Sequence, residues 1–459
     1  MAELGQLALH LPGLLSLLGE HLYSDPRVAF RELVQNAHDS VVRRRLELAD
    51  DGDPVIRVRS YREGGRAYVC ISDRGLGLTK SEIERFLATI GRGQTRELRA
   101  ALSGSGGDVR ELVGQFGVGL LSAFLVADQV RVRTRRAGGN TAETDTETDT
   151  EGWEWVCDGQ QTYRLAPFAF SDPDRRGSDV VIRLRPDKED AGASGALFRA
   201  IQHYCGFLPC PIEVDGEQLN REVPAWIAGA RAMPAERLAR LASGDEVEAP
   251  LARMALKPFT HAEYGDIDLQ GVLVIPPDSH LSIREYGGVR VYIRHMLVTP
   301  RESELLPQWA RFVCGLIDCP QLEPTASREA VRRNPLFHAV RVELGRQLLD
   351  FLRVLKQQPD WADVVRAHAT LIKRDAVRSA VLFDAVSDEI PFETSQGTLT
   401  LPQVLERSNG TLYCYTDSEQ ARTMSLLLGA SAIPVIDGRW YANAPFLRFY
   451  AEMRGVALV

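Results

Sequence analysis

Four short stretches of the chain combine residue types and spacings that could do chemistry. In Arg31-Glu32-Leu33-Val34-Gln35-Asn36-Ala37-His38-Asp39-Ser40, Glu32 and Asn36 stand four apart and Asp39 three further on, so a helix brings them to one side. An Asn oxygen can ligate Mg²⁺, a hard cation that keeps several waters and takes few protein ligands. A Glu beside it can orient or deprotonate a water. An apolar stripe (Phe30, Leu33, Val34, Ala37, Val41) runs alongside. Taken alone, the segment favours a solvated amphipathic face.

The second stretch, Ile71-Ser72-Asp73-Arg74-Gly75-Leu76-Gly77-Leu78-Thr79, ends a strand in an acid followed by GxG. Asp73 there can accept from a donor such as an exocyclic amine, and the glycines let backbone come close to a ligand. It lacks the GxGxxG and βαβ context of a dinucleotide fingerprint. The third, Gly114-Gln115-Phe116-Gly117-Val118-Gly119-Leu120, opens a helix, where exposed N–H groups and the dipole favour phosphate. The fourth is Gly177-Ser178-Asp179-Val180, a small hydroxyl residue at the start of a strand. Each is weak alone. Their order, with a long loop before the third, is far more specific.

The elements that must position them can be read from periodicity. Residues 7–23 have the leucine spacing of an amphipathic helix, and a second helix runs from about Asp25 to Leu48, with Asp25 as N-cap and Pro26 as first residue. Residues 55–60 and 67–72 form a hairpin about Glu63-Gly64-Gly65. Ser81–Ile90 reads as a short helix capped by Thr79 or Ser81. Residues 91–114 are a long loop, and Phe116–Val126 is helical. Strands follow at 129–134, 153–157 and 179–185. The acidic run 141–151 reads as a solvated loop, not a metal site. Further on come strands at 269–275 and 288–293, helices at 305–315 and 328–355, then helix 361–373, strand 411–415, helix 417–428 and a strand near 432–436. Trp226 is read as core packing.

The 459 residues exceed one hydrophobic core, so two or three domains are expected. With 44% hydrophobic and 25% charged residues the composition is globular. A net charge of −8 argues against a generic nucleic-acid binder. Seven cysteines without a CxxC pair suit a reducing cytoplasm. No segment reaches the roughly 20 apolar residues that cross a bilayer, so no membrane partner is expected.

The motif order resembles the Bergerat-type nucleotide site of the GHKL ATPases. The strings HLYSDPRVAFRELVQNAHDS, ATIGRGQT, LVGQFGVGLLSAFLVADQVRVRT and GSDVVIRL resemble the 90-kDa heat-shock chaperones, called HtpG in bacteria. VRVYIRHMLVT and LLPQWARFVCGLIDCPQLEPTASREAVRRN are similar to that family's middle domain. The likeness is good over about 5–350 and loose beyond.

The resemblance implies an α/β (α+β) fold: a Bergerat-type sandwich over 1–220 with a lid at about 91–114, then a middle domain with a larger part over 221–355 and a smaller α/β part over 356–459. No C-terminal dimerisation domain is visible. The full-length protein would be a homodimer, and a chain that stops here could be monomeric. The implied function is that of a cytoplasmic, ATP-hydrolysing chaperone whose partners are unfolded clients. Its cofactors would be ATP and Mg²⁺.

Glu32 would be the general base, Asn36 the Mg²⁺ ligand, and Arg328, in Ser327-Arg328-Glu329, the catalytic arginine at the γ-phosphate. Asp73 would bind the adenine amino group beside Gly77, with Ser178 in support. Asp39, Leu78, Arg92, Gly114, Gln115, Phe116, Gly117, Val118 and Gly119 complete the expected ATP-binding set. Phe86, Arg92, Thr325 and Arg332 depart from the family's usual residues, which bears on lid chemistry and rate. Two rivals remain: a MutL- or gyrase-like ATPase, and a nucleotide-binding interaction protein with weak hydrolysis. A histidine kinase is disfavoured, because only about 20 residues precede the ATP-site helix and leave no room for a phospho-accepting helix.

Overall fold

A computed structural model describes residues 13, 25–50, 52–88, 119–138, 151–160, 162–228, 231–244, 249–277, 288–428 and 432–459. It mixes helices and strands in several sheets, as expected for an α/β chain. The chain divides into two compact units. The first comprises Met1–Met233, Tyr292–Val298 and Glu323–Ala330, and the second the remainder.

In the first unit, α1 (Val28–Leu48) lies over an eight-stranded sheet. Its strands are β1 (Ile56–Glu63), β2 (Arg66–Ser72), β3 (Ala127–Arg135), β4 (Trp153–Cys157), β5 (Tyr163–Pro167), β6 (Gly177–Leu184), β7 (Ile212–Val214) and β8 (Glu217–Gln218). The order is β5-β4-β3-β6-β2-β1-β7-β8, antiparallel except for β1 against β7. Phe30, Leu33, Val34 and Ala37 of α1 share one core with Val58, Val69, Ile71, Val130, Val132 and Ile182. Leu197 and Ile201 of α2 (Ser194–Cys205) join it. Each large aliphatic or aromatic side chain buried there contributes about 1.5–3 kcal/mol.

Register aligns the candidate site. Ser72 pairs with Asp179 and Thr134 with Ser178, so the end of β2, the start of β6 and the end of β3 meet. The hairpin turns at Gly64-Gly65 as expected. The regular helix starts at Val28, not Asp25. Asp25–Arg27 form a preceding turn, in which Asp25 Oδ1 accepts Arg27 N at 2.9 Å. Thr79, rather than Ser81, makes the cap: its hydroxyl accepts Glu82 N while Glu82 accepts Thr79 N. The helix it opens soon widens into a π turn over Ile83–Leu87. Of 116–126, the described part is a 3₁₀ helix, Gly119–Leu125.

The second unit holds α3 (Ala235–Ser243), β9 (Ala252–Ala255), β10 (Gln270–Ile275), β11 (Gly288–Ile293), β12 (Met296–Glu302) and β13 (Cys314–Asp318). These strands form a sheet in the order β9-β10-β13-β11-β12. The end of β11, the turn and the start of β12 (Tyr292–Val298) belong to the first unit. Helices α4 (Pro335–Leu355), α5 (Trp361–Ala376) and α6 (Ala380–Val386) follow.

One helix expectation fails here and a second is shortened at its start. Residues 305–313 are turns, closed by Ala310 N to Pro307 O and Val313 N to Ala310 O, and 314–318 is strand. The apolar spacing imitated a helix, but Pro307 and the burial of Leu305, Leu306 and Phe312 are met by consecutive turns. The helix expected from 328 starts at Pro335, where Asn334 accepts Phe337 N at 3.0 Å.

Candidate functional site

Helix α1 is buried on almost every side along its first half, polar residues included. Arg31 is 1% exposed and Glu32 3%, while Asn36 in their midst is exposed. A helix so covered can leave one polar position open only where its cover has a gap, and Gly119 shows where. A Cβ at 119 would stand 3.1 Å from Glu32 Oε2 and 3.6 Å from both polar atoms of the Asn36 amide. The start of the 3₁₀ helix thus lies directly on Glu32 and Asn36 and adds no side chain of its own.

Glu32 is gripped from two sides. Arg31 Nε donates to Oε1 at 3.0 Å. Arg328 Nη1 stands 3.4 Å from Oε2. Arg31 also donates to the carbonyls of Arg328 (3.0 Å) and Ser327 (2.9 Å), and its guanidinium lies 5.3 Å from the Tyr204 ring centre. Arg328 is held at φ +54°, a left-handed conformation costly for a side chain of this size. The loop is closed by Arg328 N to Thr325 O and Thr325 N to Ala330 O, with the Thr325 hydroxyl near that of Ser327 (3.2 Å). Thr325, a departure from the family pattern, therefore shapes this loop.

The second cluster surrounds Asp73, which is 4% exposed. Its Oδ1 accepts the Ser40 hydroxyl (2.9 Å) and Gly75 N (2.8 Å), and Oδ2 accepts nothing from the described residues. Burial pushes its carboxyl up to about 6; the Gly75 and Ser40 hydrogen bonds and the Arg175 charge oppose that rise. The backbones of Asp73 and Ser178 bond reciprocally, and the Ser178 and Thr134 hydroxyls meet at 2.9 Å. Thr134 accepts Leu78 N at 2.9 Å, which fixes Leu78 beside the cluster.

The two glycines of the GxG stretch have a reason other than ligand approach. Gly77, at φ +69°, would drive a Cβ into the Arg135 carbonyl, and Gly75 would drive one into the Ser40 backbone. They let this loop pack against β3 and α1.

The structure thus brings Glu32, Asn36, Gly119 and Arg328 together, and separately Asp73, Gly77, Leu78 and Ser178. Asp39 is buried on α1 with Oδ1 3.5 Å from His38 Nδ1. Arg92, Gly114, Gln115, Phe116, Gly117, Val118 and the lid segment lie outside the described residues. Phe86 and Trp226 are half-buried. Sequence reasoning gave no role to Arg31, Ser40 or Thr134. A helix pattern does not say that an arginine is buried, and hydroxyls are too common to stand out.

The Hsp90 protein family model matches residues 212–408. The chaperone protein HtpG of Methylorubrum populi is 32% identical over 372 residues, 76% of this chain and 56% of that protein. HtpG of Myxococcus xanthus is 28% identical over 446 residues, covering 89% and 65%. HtpG of Nitrobacter hamburgensis is 29% identical over 410, covering 84% and 62%. Over most of its length the chain is similar to the Hsp90 family. It spans less than two thirds of the length of these HtpG relatives.

Proposed function

We propose that the chain binds ATP in the first unit and hydrolyses it, as part of an ATP-dependent chaperone that assists client proteins. The observation that carries this is the seating of Glu32 between Arg31 and Arg328, beside an exposed Asn36 and a side-chain-free Gly119. Asp73 Oδ2 accepts the adenine amino group, supported by Ser178 and flanked by Gly77 and Leu78. Asn36 would hold Mg²⁺, with Gly119 beside it leaving room for the phosphates. When bound, ATP would supply the phosphoanhydride to be split, and Mg²⁺ would offset the charge on it.

The residues divide the work. Glu32 orients a water and accepts its proton. Arg328 offsets the charge that develops in the transition state. Arg31 keeps Glu32 and the Arg328 loop in register. The family match covers 212–408 and favours the chaperone over a MutL- or gyrase-like ATPase. Clients as partners, no nucleic-acid or membrane partner, a homodimer for a longer chain and a cytoplasmic location are part of the proposal, as are the domain limits 1–220, 221–355 and 356–459 with a lid at 91–114. No helix among the described residues is long and apolar enough to cross a membrane.

The test is steady-state ATP hydrolysis by the chain and by Glu32→Ala and Arg328→Ala, with nucleotide binding followed calorimetrically. Loss of turnover with binding retained supports the proposal. Unchanged turnover in Glu32→Ala overturns it.

A further inference from the structure

The second unit carries a cleft that plays no part in the nucleotide chemistry. It encloses about 630 Å³ between the loop at Pro307–Arg311, one side of α4, and the turn joining α5 to α6. Gly345 lets the loop settle on the helix: a Cβ there would stand 2.9 Å from Pro307 Cγ. Trp309 and Leu349 are among the apolar residues that line it. At its edges Val342 of α4 is 73% exposed and Val381 of α6 52%, an aliphatic surface continuing outward on two helices.

Its charges are one-sided. Arg311, Arg341 and Arg378 line it from the three different elements, and none has a carboxylate partner among the described residues. The other charges cancel internally. Arg346 is bound by Glu343 at 2.6 Å and Asp350 at 2.9 Å. Asp375 is bound by Arg374 at 2.9 Å. These three arginines leave the cleft positively charged in a chain of net charge −8.

We propose that this cleft docks an acidic, aliphatic-faced helical segment of a partner protein. Such a helix places leucine-type anchors at i, i+3, i+4 and i+7 over Val342, Leu349 and Val381, and its flanking carboxylates meet the arginines. Spread over three elements, the arginines match a row of carboxylates better than one compact anion. The exposed valines extend the contact beyond what a small molecule would cover.

The experiment uses the full chain and a fluorescein-labelled helical peptide of about three turns, with leucines at those positions and glutamates elsewhere. Controls are the same peptide with every Glu replaced by Lys, the same with every Leu replaced by Ser, and citrate as a compact anion. The expected result is saturable binding of the first peptide alone, weakened by salt. Arg341→Glu and Arg378→Glu, on separate elements, should each weaken it at least about tenfold. Val342→Asp should do the same, and Trp309 emission should shift on binding. All three replaced residues lie at the surface, and circular dichroism checks their folding. No saturable binding, equal binding of either control peptide, displacement by citrate alone, or indifference to both charge reversals would overturn the proposal.

Discussion

Oε2 of Glu32 stands 3.4 Å from Nη1 of Arg328, with the side chains 4% and 9% exposed. With Arg31 on the other oxygen, the carboxylate has cationic partners on both sides. Water is largely excluded, so removing one partner leaves a buried charge with too little compensation. This arrangement makes the first unit's stability and its proposed chemistry depend on the same few side chains.

Arg31 should therefore matter even before turnover is measured. Arg31→Met leaves Glu32 with Arg328 alone and removes the donors to the Ser327 and Arg328 carbonyls. Breaking a buried pair costs about 3–5 kcal/mol. Urea unfolding should show a first-unit transition moved well down in denaturant. A midpoint within experimental error of the parent would contradict the role given to Arg31.

Asp73 gives a pH signature. Its carboxyl is raised from the ordinary 3.8 to about 6, so between those values the folded state binds more protons than the unfolded one. Its contribution to stability is thus greatest below about 4 and declines as pH rises through 6, by about 3 kcal/mol in all. Nucleotide affinity should run the other way, because the ionised carboxylate is the better acceptor. Calorimetric affinity should fall as pH drops below 6, and Asp73→Asn should bind weakly with no such slope. A flat pH profile in the parent chain would remove Asp73 from the adenine contact.

The second unit contains a buried amine with the opposite sign. Lys373 on α5 donates to Asn443 Oδ1 at 2.9 Å and lies 3.7 Å from the Phe392 ring centre. Burial lowers its pKa from 10.5 to about 8, opposed by the Glu393 charge. Between 8 and 10.5 the unfolded chain binds more protons, so this lysine's contribution should rise with pH across that window, by about 3 kcal/mol at most. Lys373→Met should lose that rise, which stability curves at pH 8 and pH 10 for the two proteins would show. Equal slopes would refute the assignment.

Much of the frame was legible in the sequence. The hairpin over β1 and β2 and the strands β3, β4 and β6 follow from alternation and glycine turns, because sheet burial has a period that side-chain type reports. Of the residues quoted for the site, Glu32, Asn36 and Arg328 meet beside Gly119, and Asp73, Gly77, Leu78 and Ser178 form a separate cluster. Other features depended on tertiary context. Pattern alone does not show that Arg31 is buried, that Arg328 sits at positive φ, or that Gly77 yields to the Arg135 carbonyl. Segment 305–313 misled because buried turns can repeat apolar residues at helical spacing. Asn334 caps α4 at Pro335, a start that the apolar spacing from 328 obscured.

The central claim is that Glu32 and Arg328 act on one bound nucleotide. The most direct measurement is single-turnover ATP hydrolysis by Glu32→Ala and Arg328→Ala at saturating nucleotide. The account predicts a loss of about 10²–10³-fold for each, with affinity little changed. Parent-like turnover in either variant, with binding intact, would contradict it.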